Sequence, residues 1–159
     1  MFVQQKKLSL VYPSPNKFGN SSIATIADSV LDYCCSGRKI FYIDATYDLF
    51  EAHVDVLLLL HAREAPEFKK ILIAHQVAAV ACGKSHCIFI SRSDGSLWAR
   101  GLNKFGCCGV STSISKLNVA TQIESLKGIE FGQVYAAGCF SLAISKHDFK
   151  VYCFGDNSD

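Results

Sequence analysis

The chain has 159 residues, 50% of them hydrophobic, with 16 basic and 14 acidic side chains and a net charge of +2. That is apolar material enough for one ordinary domain, and the sparse, balanced charge excludes the basic stripe of a dedicated nucleic-acid binder. The longest run of large aliphatic side chains, Val56 to Leu60, is bounded by Asp55 and His61 and falls far short of the ~20 residues that cross a bilayer.

In chain order, residues 10–19 (LVYPSPNKFG) end in a tetrapeptide, Asn16-Lys17-Phe18-Gly19, that recurs as Asn103-Lys104-Phe105-Gly106. Residues 30–44 (VLDYCCSGRKIFYID) overlay residues 77–91 (VAAVACGKSHCIFIS) at an offset of 47, although the segment that follows, 47–52, fits poorly. The apolar stretch 54–62 could be helix or strand, because periodicity does not separate the two there. Residues 77–109 carry the clearest pattern. Val77 to Ala81 is an apolar segment that stops at Gly83, and Cys87 to Ile90 is a second. Asp94-Gly95 signals a tight turn, since glycine takes positive φ without a Cβ clash. Leu97 to Ala99 resumes extended structure, punctuated by Gly101 and Gly106.

Residues 134–157 retrace this order. Gly138 answers Gly83, Ser141 stands where His86 stood, and Asp148 answers Asp94. Val151-Tyr152 answers Leu97-Trp98, and Gly155 and Asn157 answer Gly101 and Asn103. The offset is 54 residues at the asparagines and 55 at the first glycines, one extra residue in the SRSDG turn (91–95) accounting for the difference. A period near 50 residues built of short strands points to propeller blades or β-solenoid rungs. The continuously apolar runs 40–43, 87–90 and 142–144 favour blades, whose inner strands are covered on both faces. The predicted fold is mainly β: a partial β-propeller of about three blades of short antiparallel strands, one degenerate. Its expected organisation is one repeat region over 1–159, with an N-terminal strand and turn (1–20), a degenerate repeat (21–65), a repeat (66–110) and a truncated repeat (111–159).

The eight cysteines lack any Cys-x-x-Cys spacing, and the pairs Cys34-Cys35 and Cys107-Cys108 suit neither a zinc site nor an unstrained bridge. The N-terminal MFVQQKKLSL has no apolar signal core. The expectation is therefore an intracellular chain, cytoplasmic or nuclear, with all eight thiols free and no metal. Cys82, His86 and Cys87 could offer ligands, but adjacent residues on a strand face opposite ways.

The ordered set Val77, Val80, Ala81, Cys82, Gly83, His86, Asp94, Gly95, Leu97, Trp98, Gly101, Asn103 and Gly106 resembles the repeat of the regulator of chromosome condensation family. A second copy matches at Val134, Ala136, Gly138, Leu142, Asp148, Val151, Tyr152, Gly155 and Asn157. The resemblance is good over 66–159 and weak over 1–60. It implies closed propellers of about seven blades whose activity is mostly protein binding. It also implies, for the founding branch, guanine-nucleotide exchange on a small GTPase and docking on nucleosomes. The chain departs from the motif at Ser141 and Lys39 in place of His86, at Phe149 in place of the hairpin glycine, and at Cys107-Cys108 in place of a Gln-Leu pair.

The repeat positions read as structural. The glycines serve backbone conformations, Trp98 and Tyr152 are apolar bulk for a core, and His86 donates a hydrogen bond that ties a turn. Cys82 and His86 have no orienting third group, no Gly-rich phosphate loop precedes a helix, and Asp28, Asp32 and Asp44 share no spacing. The sequence thus predicts no enzyme, no catalytic residue and no cofactor. It predicts an interaction scaffold for a protein partner, the alternative being an exchange factor acting on a small GTPase. Direct nucleic-acid and membrane partners are not expected. Because the last repeat stops within its turn motif, the reading also expects a piece of a longer propeller, or a chain that self-associates to cover its terminal blade.

Overall fold

The computed structural model describes residues 6–13, 21–36, 39–53 and 70–157. They form three antiparallel sheets in which strands adjacent in sequence are adjacent in space. The first contains β1 (Lys6–Pro13), β2 (Ser21–Ser36), β3 (Lys39–Asp44), β4 (Leu49–His53) and β5 (Lys70–Ala74). The second contains β6 (Val77–Cys82), β7 (His86–Ser91), β8 (Leu97–Leu102) and β9 (Lys116–Gln122). The third contains β10 (Phe131–Ala137), β11 (Phe140–Ser145) and β12 (Val151–Gly155). Two 3-10 turns, η1 (Lys104–Gly106) and η2 (Glu124–Leu126), flank β9. The first copy of the tetrapeptide, 16–19, and the ambiguous stretch 54–62 lie outside the described residues.

Register carries the repeat from sheet to sheet. Phe89 pairs with Trp98 across β7 and β8, and Ala143 with Tyr152 across β11 and β12. Tyr42 and Phe50 occupy the same place in the first sheet, stacked with ring centroids 5.4 Å apart. The segment that fitted the motif poorly as sequence therefore supplies the equivalent strand. The sequence period and the sheets are one strand out of phase. β5 lies within 66–110 yet hydrogen-bonds to β4 of the sheet before it, and β9 lies beyond residue 110 yet pairs with β8.

Burial explains why some strands lose their alternation. In β7 the first five of six residues are buried. Successive side chains on a strand face opposite ways: Cys87 and Phe89 join a cluster with Phe41, Ile43, Leu49 and Val77 toward the first sheet, while Ile88 and Ile90 join one with Phe131, Val134 and Ala143 toward the third. β11 differs from the expectation for its apolar run: Ser141, Ala143 and Ser145 are buried, Leu142 and Ile144 only half-buried. Its alternation returns because, among the described residues, only the second sheet packs on it.

Candidate functional site at the junctions between sheets

The repeat positions do three kinds of local work. Gly101 and Gly155 take φ of +117° and +116°, and a Cβ on either would lie 2.4 Å and 2.3 Å from a backbone carbonyl, that of Ser85 or Cys139. Asn103 is buried, and its Nδ2 donates to the carbonyls of Ser111 (3.0 Å) and Ile114 (2.8 Å) while its Oδ1 accepts from Cys108 N (2.9 Å). It thereby holds the loop that includes Phe105 and Gly106, both at positive φ. Asn157 is exposed. In the β7–β8 hairpin, Asp94 Oδ1 accepts from Ser96 N (3.1 Å) and Ser96 Oγ (2.8 Å), and Trp98 Nε1 donates to that same hydroxyl (2.9 Å). In the β11–β12 hairpin Asp148 accepts from Ser145 Oγ, and Phe149 sits at φ 53° where Gly95 sits at 67°. Trp98 and Tyr152 are half-buried rather than core, each on the cluster facing the preceding sheet.

The junction between the second and third sheets turns on His86. Its Nε2 lies 2.7 Å from Ser141 Oγ, and Ser141 Oγ donates to the Cys107 carbonyl at 2.8 Å. With that hydroxyl proton committed, Nε2 carries the other and donates to Ser141 Oγ. The ring packs on Gly83, where a Cβ would come within 2.2 Å of it. Burial lowers the His86 pKa, favouring the neutral form that fits this chain of donors. A nucleophilic serine needs the opposite polarity, a base accepting from its hydroxyl, so the pair is a bolt between sheets. Lys84 N donates to the Gly138 carbonyl (2.7 Å) beside it. The register corrects the expected equivalence of Gly138 with Gly83 and of Ser141 with His86: His86 pairs with Gly101 as Phe140 pairs with Gly155, and Cys82 with Cys87 as Ala136 with Ser141. Gly138 thus answers Lys84, and it has open space around it and φ +54°.

The junction between the first and second sheets corrects the expectation of eight free thiols. Cys34 and Cys82 form a disulfide, their Cα atoms 5.7 Å apart and 48 residues apart in sequence, a spacing of Cα atoms ordinary for a bridge. The other six cysteines are free, and burial lifts the thiols of Cys87 and Cys108 to about 12. Local spacing could not reveal a pair that exists only because β2 packs against β6. Near it, Glu51 is 1% exposed and binds Lys39 Nζ (2.7 Å), His53 Nε2 (2.7 Å) and Arg100 Nη1. Burial alone would raise the Glu51 pKa, but hydrogen bonds from Lys39 and Arg100 and their charges hold it below the usual range. Arg100 sits opposite a bulge in β9, and its Nε donates to the Asn118 carbonyl (3.2 Å). No sequence motif singled out Glu51, Lys39 as a cation, or Arg100.

Lys39 and Arg100 border a cleft of about 360 Å³ between the two sheets. Phe41, Cys87, Leu102 and Leu117 give it an apolar lining, and Lys39, Arg100 and Lys116 surround that lining with positive charge. Among the described residues, no group of three or more His, Cys, Asp or Glu side chains could hold a metal ion, and no helix is long and apolar enough to cross a membrane.

Successive antiparallel sheets of five, four and three described strands, built on one repeated strand register and packed face to face, define a β-propeller repeat protein. Residues 77–107 match the family model described as the Regulator of chromosome condensation (RCC1) repeat. Those residues, β6 to η1, carry a repeat of the regulator of chromosome condensation family. Over 80 residues it is 34% identical to the human protein named Probable E3 ubiquitin-protein ligase HERC4, covering 50% of this chain and 8% of that one. It superposes on Prp20p from Saccharomyces cerevisiae, described with its binding properties to Gsp1p and histones, at TM-score 0.64 and 19% identity, covering 82% of this chain and 31% of that one. Human WBSCR16 is similar at TM-score 0.65 and 14% identity, with 84% and 35% covered. The chain spans under a tenth of the curated relatives it matches and about a third of these structures.

Proposed function

We propose that this chain is a non-catalytic protein-interaction scaffold. One observation carries the reading: the polar side chains inside the repeats, His86, Ser141, Asn103 and Glu51, are engaged with other parts of the same chain. Large apolar side chains stand outward instead, Val119 at 71% and Phe149 at 74% exposure. Phe149 stands in the β11–β12 turn, and loops on a rigid scaffold are where binding residues concentrate. Val119 stands on β9, the edge strand of the second sheet, and exposed aromatic and apolar groups are interface material. Prp20p, whose structure was described with binding to Gsp1p and histones, supports protein partners as the class. The expected setting is intracellular.

The test is photo-crosslinking from a benzophenone side chain placed at Val119 or Phe149 in cell extract. Saturable crosslinks to a discrete protein are expected, and labelling no stronger than from buried Ile88 would overturn the reading. The second reading, guanine-nucleotide exchange on a small GTPase, rests on the resemblance of the repeat motif. A nucleotide-release assay against a panel of small GTPases separates the two: accelerated release from any of them favours exchange.

A further inference from the structure

We infer that the cleft between the first and second sheets is a docking site for an acidic, extended peptide segment, its carboxylate held between Lys116, Lys39 and Arg100. The inference rests on the scaffold reading and names the chemistry of the partner. Three cations border the cleft and none of its lining residues is acidic. Among the described residues, Glu51 is the carboxylate that touches these cations; it is buried behind Lys39 and Arg100 and offsets one of the three charges, which leaves the described lining net positive. Glu51 also orders the two cations it touches. Lys39 and Arg100 are held in place before any ligand arrives, which lowers the entropy lost on binding. Arg100 is fixed twice, by Glu51 and by the Asn118 carbonyl.

The apolar lining decides the kind of anion. A bare inorganic ion gains nothing from Phe41, Leu102 and Leu117, whereas a peptide that alternates acidic and apolar side chains meets both surfaces. Leu102 is 45% exposed, an apolar group open to be covered. The cleft at the other end of the second sheet offers a contrast. It is lined by Asp94 and Glu130 as well as Arg92 and Lys146, and Glu130 already pairs with Lys146 and His147. Charge there is balanced, and no surplus selects an anion.

Fluorescence anisotropy with the full chain tests this. The probe is a labelled peptide of alternating glutamate and leucine, about eight residues long, enough at ~3.3 Å per residue to run through the cleft. It is expected to bind, with affinity at least ~10-fold weaker for the glutamine–leucine counterpart and for Lys116→Glu, and unchanged for Lys127→Glu just after η2. Arg100→Lys keeps a cation near Glu51 but loses the planar fork, and is expected to weaken binding about 3-fold or more. No binding of the glutamate peptide, equal binding of the glutamine peptide, or unaltered affinity in a Lys116→Glu chain that melts like wild type overturns the inference. Failure here with crosslinks retained at Val119 or Phe149 removes the cleft alone. Loss of crosslinks as well removes the scaffold reading.

Discussion

The two junctions of this molecule join near-copies of one repeat by different chemistry. Between the first and second sheets lie a disulfide, a buried carboxylate reaching Arg100 across the gap, and the Asp32 carboxylate accepting from Val80 N at 3.2 Å. Between the second and third lie a larger apolar cluster and the neutral chain from His86 through Ser141 to the Cys107 carbonyl. The lesson is that strand and hairpin recur with the period while the contacts between sheets are free to vary. A blade needs apolar faces and turn residues in register, but any satisfied polar set serves to fasten it to its neighbour.

The largest effect that probes this contrast is reduction of Cys34–Cys82. A bridge across 48 residues removes loop entropy from the unfolded chain worth about 4 kcal/mol in the chain-entropy model. Titration of the denatured, unreduced chain should find the six free thiols, and reductant should lower the melting temperature. Finding eight thiols before reduction would show a first junction held by charge and packing alone.

At the second junction, His86→Ala should cost about 3 kcal/mol. It leaves a cavity over Gly83 and removes the donor to the buried Ser141 hydroxyl. Ser141→Ala should cost about 1 kcal/mol, and a double-mutant cycle should show coupling of the same order, since the two side chains share one hydrogen bond. Additive losses in denaturant melts would mean that His86 acts through packing alone.

How far these features were legible follows from where they live. The β6–β7–β8 unit could be read from apolar runs around Asp94-Gly95 because strand and turn are encoded over a few residues. The place of β12 followed from the offset between Asn103 and Asn157. Phe50 was missed because the strand that answers Trp98 lacks its glycine and turn signature, yet pairing with Tyr42 puts it there. Glu51, Arg100 and the disulfide were beyond reach for another reason. The contacts between the sheets, Cys34 to Cys82 and Glu51 to Arg100, span 48 and 49 residues, and such contacts depend on which faces stack, a fact no local periodicity records. The burial of β11 at alternate positions was hidden likewise, since coverage by neighbours is a property of the assembly rather than the strand.

The hairpins sharpen the comparison at smaller magnitude. Gly95 sits at φ +67° with Glu130 3.1 Å from where a Cβ would stand, so Gly95→Val should destabilise by about 2 kcal/mol. Phe149 holds the same region of φ with a side chain 74% exposed. Phe149→Gly should therefore be neutral or stabilising, by up to about 1 kcal/mol, as relief of strain outweighs the added freedom of the unfolded chain. Equal losses at both positions in thermal melts would show that the third sheet's hairpin depends on the phenyl ring.

The smallest effect separates the two turns by charge. Hydrogen bonding and charge from Lys150, then the Ser145 hydroxyl, depress the Asp148 pKa to about 2. The Asp94 pKa is lowered chiefly by the hydroxyls of Ser91 and Ser96. Both carboxylates bind protons less readily folded than unfolded, so each contributes stability above the unfolded pKa of ~3.9 that is lost as pH falls. For Asp148 the loss runs from about pH 4 down to about pH 2. Exposed charge pairs weaken with salt, whereas hydroxyl donors carry no net charge to screen. Carboxyl NMR titration should thus show the Asp148 midpoint rising with salt and rising further in Lys150→Ala, while Asp94 stays in place under both changes. If the Asp94 midpoint moved as much as that of Asp148, the two hairpins would share one electrostatic design, and the substitution of a cation for hydroxyl donors between the repeats would carry no consequence.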